Sequence, residues 1–208
     1  MRMKKLVSAA AAVALSIGFA GAASAQTVNQ QVDINANVAS KCGISAQQTS
    51  ITLGDLTDAN AKVRSAVTQE IATALNNARI IGFCNAPNSQ VEVQRAVLAR
   101  VGATGTGLTD GGFSQFVRYN LDTSINGLAL DSTSTVGAST VANRFGGHIS
   151  LSSTATHLQF AQAASNGQAV ASSNGSTSTA TDWSSLTDRR LAAGNYTGFV
   201  NVILTPGA

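Results

Sequence analysis

The residues best placed to form a bond with each other are Cys42 and Cys84, the two cysteines of the 208-residue chain. In an oxidising compartment two thiols pair by default. A Cys42–Cys84 bridge would close a loop of about 40 residues and stabilise by a few kcal/mol, mostly by restricting the unfolded chain. Zinc suits them poorly, because two cysteines so far apart without a nearby His cannot complete a tetrahedral site, and no C-x-x-C spacing offers dithiol redox chemistry. His148 and His157 have no acidic partner in a recognisable motif, so a structural role fits them better than metal binding or base catalysis. The chain has no G-x-S-x-G elbow, no H-E-x-x-H helix and no phosphate-binding glycine loop; residues 102–112 are glycine-rich but lack the Lys and the following helix. Trp183 and Tyr196 could stack on a sugar, although isolated aromatics beside loops more often close the edge of a core. Asp188, Arg189 and Arg190 read as a solvated turn. No catalytic residue, metal or cofactor is expected, and the chain does not read as an enzyme.

The oxidising compartment is read from the first 25 residues. Arg2, Lys4 and Lys5 precede an apolar run over 6–20, and Ala23, Ser24 and Ala25 form an A-x-A cleavage pattern before Gln26. This is the layout of a secretory signal peptide. The run is short, Ala-rich and followed at once by the cleavage pattern, unlike a membrane anchor, and no later stretch is long and apolar enough to span a bilayer. The leader holds three of the 13 basic residues and none of the 10 acidic ones, so the exported chain is formally neutral. The basic character of the precursor is therefore no argument for nucleic acid or anionic lipid as a partner. What remains is long enough for one domain with a hydrophobic core. Its few charges and abundant Ser, Thr, Asn, Gly and Ala suit a secreted β-rich structural protein better than a cytosolic enzyme.

The elements that would position these groups are short strands. In residues 26–38, Val32, Ile34, Ala36 and Val38 alternate with Gln31, Asp33, Asn35 and Asn37, the period of a strand with one buried face. Such a strand could pair within its own domain or in a neighbour. Residues 50–56 predict a short strand turning at Gly54 and Asp55. Over 59–78, Val63, Val67, Ile71, Leu75 and Ala78 recur at helical spacing after a cap at Asp58, with a strand over 68–80 as the competing reading. Strands are predicted over 80–84, closed by turn residues 85–88, and over 90–98, 116–121, 147–151 and 156–160. Residues 161–181 are polar, of low complexity, and predict an exposed loop. Residues 193–205 predict a turn and then a strand apolar on both faces. Many short strands separated by turns indicate an all-β antiparallel sandwich with one short helix between the cysteines; no repeat or second domain is evident.

Three places resemble a known family. Residues 31–38 followed by Cys42-Gly43-Ile44 look like the N-terminal donor strand leading to the first cysteine of archaic chaperone-usher pilins, which share a domain with spore coat protein U. Residues 81–85 (IGFCN) look like that family's second-cysteine strand, and residues 193–204 (AGNYTGFVNVIL) like its last strand, where an A-G-x-Y turn precedes alternating apolar residues; residues 117–121 are a weaker match to a mid-domain strand. The resemblance implies a cleaved leader (1–25), an N-terminal donor strand (26–41) and an immunoglobulin-like sandwich (42–208) that is incomplete until a donor strand fills it. Val32, Ile34, Ala36 and Val38 would be the plugs, and Phe199, Val200, Val202, Ile203 and Leu204 the groove edge offered to a chaperone. The implied partners are identical or related pilin subunits, a periplasmic chaperone and an outer-membrane usher. The implied role is a structural subunit of a surface pilus, exported through the periplasm, for adhesion or biofilm formation. The competing expectation is a self-complemented secreted sandwich that binds a carbohydrate or surface ligand.

Overall fold

A computed structural model of the chain describes residues 30–103, 112–125, 128–130, 139–146, 157–173, 175 and 189–207. The chain divides into two units, 1–37 and 38–208. In the first, residues 30–37 form no strand or helix. The second carries β1 (Cys42–Ser45), α1 (Val67–Asn77), β2 (Ile81–Cys84), β3 (Ser89–Arg95), β4 (Leu98–Arg100), β5 (Phe116–Arg118), β6 (Leu121–Ile125), β7 (Leu128–Leu130), β8 (Ser139–Val141), β9 (Leu158–Gln162), β10 (Val170–Ser172), β11 (Tyr196–Thr197) and β12 (Val200–Thr205). Among the described residues every strand ladder is antiparallel and one helix lies between the cysteines, so the expected β class holds.

The disulfide forms as expected between Cys42 and Cys84, which face each other across the β1–β2 ladder. Three further sheets among the described residues run in the orders β10-β5-β4-β11, β12-β3-β8 and β7-β6-β9. Single bridges tie β2 to two of them. Cys84 and Phe145, just beyond β8, exchange backbone hydrogen bonds of 3.1 and 3.2 Å, while Leu158 N donates to Ile80 O at 2.9 Å at the start of β9. The buried side chains Val67, Leu75, Val91, Val117, Ile125 and Leu158 belong to one core cluster.

Helix α1 forms because Val67, Ile71 and Leu75 recur on one face and are buried there with Thr68 and Ala72. It packs on β9, where the Asn76 amide stands in for a strand backbone: Nδ2 donates to Phe160 O at 2.9 Å and Oδ1 accepts from Phe160 N at 2.8 Å. The helix starts later than the apolar spacing over 59–78 predicts. Asp58 is not its cap; Oδ1 of Asp58 accepts from the backbone N–H groups of Asn60 and Lys62 at 2.8 and 2.9 Å. A short Asx side chain that bonds its own downstream backbone competes with helix formation, and the loop so formed is closed by the Thr57–Val63 bridge.

Three other expectations are corrected. Residues 50–56 make no strand; Ile51 and Leu53 alternate inward as predicted, but no described strand lies beside them to complete a ladder. The strand expected over 116–121 breaks at Tyr119 and Asn120 into β5 and β6, and residues 116–119 are all buried, because β5 lies inside its sheet between β10 and β4. The loop expected over 161–181 contains the end of β9 and the buried strand β10. Its Ala and Ser residues read as low-complexity surface, yet small side chains also fit beneath a neighbouring layer. The strand expected over 147–151 lies outside the described residues.

Candidate functional site

The last strand is delivered by a tightly fixed turn. Ala192 N donates to Ser114 O at 2.9 Å and Leu191 N to Ala61 O at 2.9 Å, so the chain entering the turn is held on both sides. The Arg100 guanidinium donates through Nε to Ala193 O at 2.9 Å. Gly194 has φ 147, and a Cβ there would stand 2.8 Å from that same Nε; a side chain at this position would displace the arginine. The Tyr196 hydroxyl lies 2.7 Å from Ala192 O and 3.3 Å from Ser114 O, and partial burial raises its pKa. Tyr196 is half-buried, with its hydroxyl tied to backbone. Trp183 and His148 lie outside the described residues.

From this turn β12 runs antiparallel to β3, from Val200 opposite Arg95 to Thr205 opposite Gln90. The pleat sends Val200, Val202 and Leu204 toward the core cluster and leaves Asn201 and Thr205 exposed. Ile203, on the outer face, is half-buried, so the strand is apolar on both faces as its sequence suggests. In its sheet β12 is an edge: its ladder runs to β3 on one side, and no described strand pairs with the other.

Beside that edge opens a groove with a volume of about 1230 Å³. It is lined by the end of β1 (Ile44, Ser45), by the irregular stretch 46–57 with Ile51, Leu53 and Leu56, by Ile71 and Leu75 of α1, and by Tyr119, Tyr196, Phe199, Val200 and Val202. The lining is mostly apolar, and its rim exposes Ile44 (47%) and Phe199 (59%), large side chains that a closed fold would cover. Of the expected groove-edge residues, Phe199, Val200 and Val202 line this space, whereas Ile203 and Leu204 continue β12 beyond it. Ile51, Leu53 and Leu56 contribute to the site without having been expected there; the alternation of Ile51 and Leu53 is the signal in the sequence that points to them.

The expected plugs are fully displayed. Val32 and Ile34 are 77% and 90% exposed, Ala36 is exposed, and Val38, the first residue of the second unit, is 83% exposed. No family model, curated protein or solved structure matches this chain.

Among the described residues no group of three or more His, Cys, Asp or Glu could hold a metal ion, and no helix is long and apolar enough to cross a membrane. His157 is buried, with Ile81 opposite it and no hydrogen-bond partner for Nε2 among the described residues. Arg189 and Arg190 brace loops, donating to Gly112 O and Asn60 O at 3.3 and 3.0 Å.

Of the two groove tyrosines, Tyr119 is the more deeply buried. Burial pushes the Tyr119 hydroxyl up to about 12, although nearby Arg95 pulls it down. An unfolded tyrosine ionises near 10 while the folded one stays neutral, so the stabilisation is complete below pH 10 and is lost as pH rises toward 12. Tyr119→Phe should flatten this alkaline loss, and the difference should reach roughly 2 kcal/mol by pH 12. Urea titrations at pH 8 and at high pH would measure it; an unchanged pH dependence would assign the loss to another group.

Proposed function

We propose that this protein is the structural subunit of an exported surface fibre, in which residues 26–41 of one subunit add a strand to the groove of the next. One observation carries the reading: a single chain displays an exposed segment with strictly alternating apolar residues and, separately, an apolar groove bordered by an edge strand with no partner among the described residues. Strand addition uses both, with main-chain bonds to β12 giving affinity and alternate side chains filling the groove. Val32, Ile34 and Val38 would each contribute about 1.5 to 3 kcal/mol on burial, and each ladder bond about 0.5 to 1.5 kcal/mol. Such a sum favours a long-lived polymer over a transient contact.

An incomplete immunoglobulin-like sandwich is the architecture that fits this reading. Antiparallel ladders, the Cys42–Cys84 bridge and a tyrosine hydroxyl that bonds back to the backbone just before the last strand all support it. The resemblance to archaic chaperone-usher pilins and the spore coat protein U domain supports it from the sequence. An open apolar edge is an aggregation hazard in transit, and a periplasmic chaperone that covers β12 would remove that hazard until an outer-membrane usher brings the next subunit. The disulfide is compatible with export, and adhesion or biofilm formation is the role of such a fibre.

The test is a denaturing gel of the exported protein from its own host, unboiled against boiled, beside a variant lacking residues 26–39. A ladder of multimers that collapses on boiling and is missing from the variant is the expected result. A monomer band in every lane would overturn the proposal in favour of a self-contained sandwich.

A further inference from the structure

A chain that carries both a groove and an alternating segment suited to fill it could close on itself, and the backbone beside the second cysteine bears on that closure. The β1–β2 ladder does not stop at Cys42 and Cys84. Asn85 N donates to Lys41 O at 3.0 Å, one step beyond the disulfide. There the backbone of β2 leaves the ladder through Ala86, Pro87 and Asn88, the last at φ 56. The side chain of Asn85 continues in its place: Oδ1 accepts from Lys41 N at 2.6 Å and Nδ2 donates to Ala39 O at 3.0 Å. Asn85 is itself held through its carbonyl by Arg144 Nε at 2.8 Å. One residue thus prolongs the straight course of β1 back to Ala39.

This course runs at the wrong end for self-insertion. The groove is lined by Ile44 and Ser45 at the end of β1 and by Val200 to Val202 at the start of β12. Lys41 and Asn85 lie at the opposite end, where Thr205 pairs with Gln90 and Gly207 N donates to Ser89 Oγ at 3.2 Å. For its own plugs to enter its own groove, the chain would have to reverse between Val38 and Cys42. A tight turn takes four residues and redirects the backbone groups of the central ones. Ala39 O and both backbone groups of Lys41 are committed to Asn85, and Cys42 is fixed by the disulfide.

We propose that Asn85 is a directing residue: its side chain holds residues 39–41 straight, so that the preceding segment is delivered to a second copy of the chain instead of folding back. The inference rests on the proposed strand addition and adds the device that makes it intermolecular. Its test reads the monomer, so that it can fail independently of polymerisation. The monomer fraction of the mature protein, refolded at high dilution and isolated by size exclusion, is followed by hydrogen exchange at residues 32–38. In the wild type these amides should exchange at the rate of an unstructured chain. In Asn85→Ala, which loses both side-chain bonds, they should slow on the order of tenfold or more. Asn85→Asp keeps the acceptor for Lys41 N and loses the donor to Ala39 O; it should fall between, and it serves should the alanine variant not fold. Equal exchange in the wild type and both variants, or protection already present in the wild type, would overturn the directing role. Failure of the wild type to form heat-sensitive multimers at high concentration would instead overturn the fibre reading.

Discussion

Ile34→Asp should eliminate the heat-sensitive multimers while leaving the melting temperature of the monomer unchanged. Ile34 is 90% exposed, so in the isolated chain a carboxylate there meets water and costs nothing. In a filled groove the same carboxylate would lie among Ile51, Leu53, Leu75 and Val202 or their neighbours, without a compensating cation. Losing the isoleucine contribution alone is worth about 1.5 to 3 kcal/mol, and leaving a charge unpaired in an apolar site adds several kcal/mol. The two together weaken each subunit joint by roughly a thousandfold or more. Ile34→Ala removes only the first of these effects and should shorten the ladder without abolishing it. A chaperone that covers β12 does not use Ile34, so the chaperone-bound subunit should still be recovered in normal amounts. Multimers of wild-type abundance from Ile34→Asp would contradict the donor role of residues 26–41.

Sequence patterns reveal the parts of this molecule whose physics is local. A period of two marks β3, short apolar runs bounded by turn residues mark β2 and β12, and two cysteines behind a leader with a cleavage pattern mark the disulfide. Helical spacing marks α1 but not its start, because the competing side-chain bonds of Asp58 act on the backbone and leave no trace in hydrophobic periodicity. Whether Ile51 and Leu53 lie in a strand is not readable locally, since a strand is defined by its neighbour and theirs is a gap. Buried β10 is hidden for the opposite reason: Ala169, Ala171 and Ser172 are small enough to be covered by other elements, and composition alone classes them as surface. The groove shows this limit most clearly. Its lining comes from within residues 44–61, 71–80, 98, 119 and 191–202, segments that the chain order separates and only the fold brings together. Asn85 is legible as a turn former but not as a clasp, because its partners are backbone groups of residues 39 and 41.

Replacing both cysteines, Cys42→Ala with Cys84→Ala, should destabilise the domain by about 2 to 5 kcal/mol, and the damage should concentrate at β1. The bridge spans 42 residues of sequence, a loop whose closure is costly in the unfolded chain once the link is gone. β1 is the strand least able to tolerate the loss, because its only described ladder is the four-residue pairing with β2. β12, by contrast, pairs with β3 over six residues and should keep its amide protection. Hydrogen exchange resolves the two: in the double variant the amides of Gly43 to Ser45 should exchange near the global unfolding limit or faster, while those of Val200 to Leu204 remain slow. Ile44 and Ser45 line the groove beside β12, so fraying of β1 removes part of the surface that an incoming strand would contact. The variant should therefore lose multimers even at temperatures where its core stays folded. Full protection of β1 in the double variant would show that side-chain packing, and not the bridge, holds that strand, and would confine the role of the disulfide to the unfolded chain.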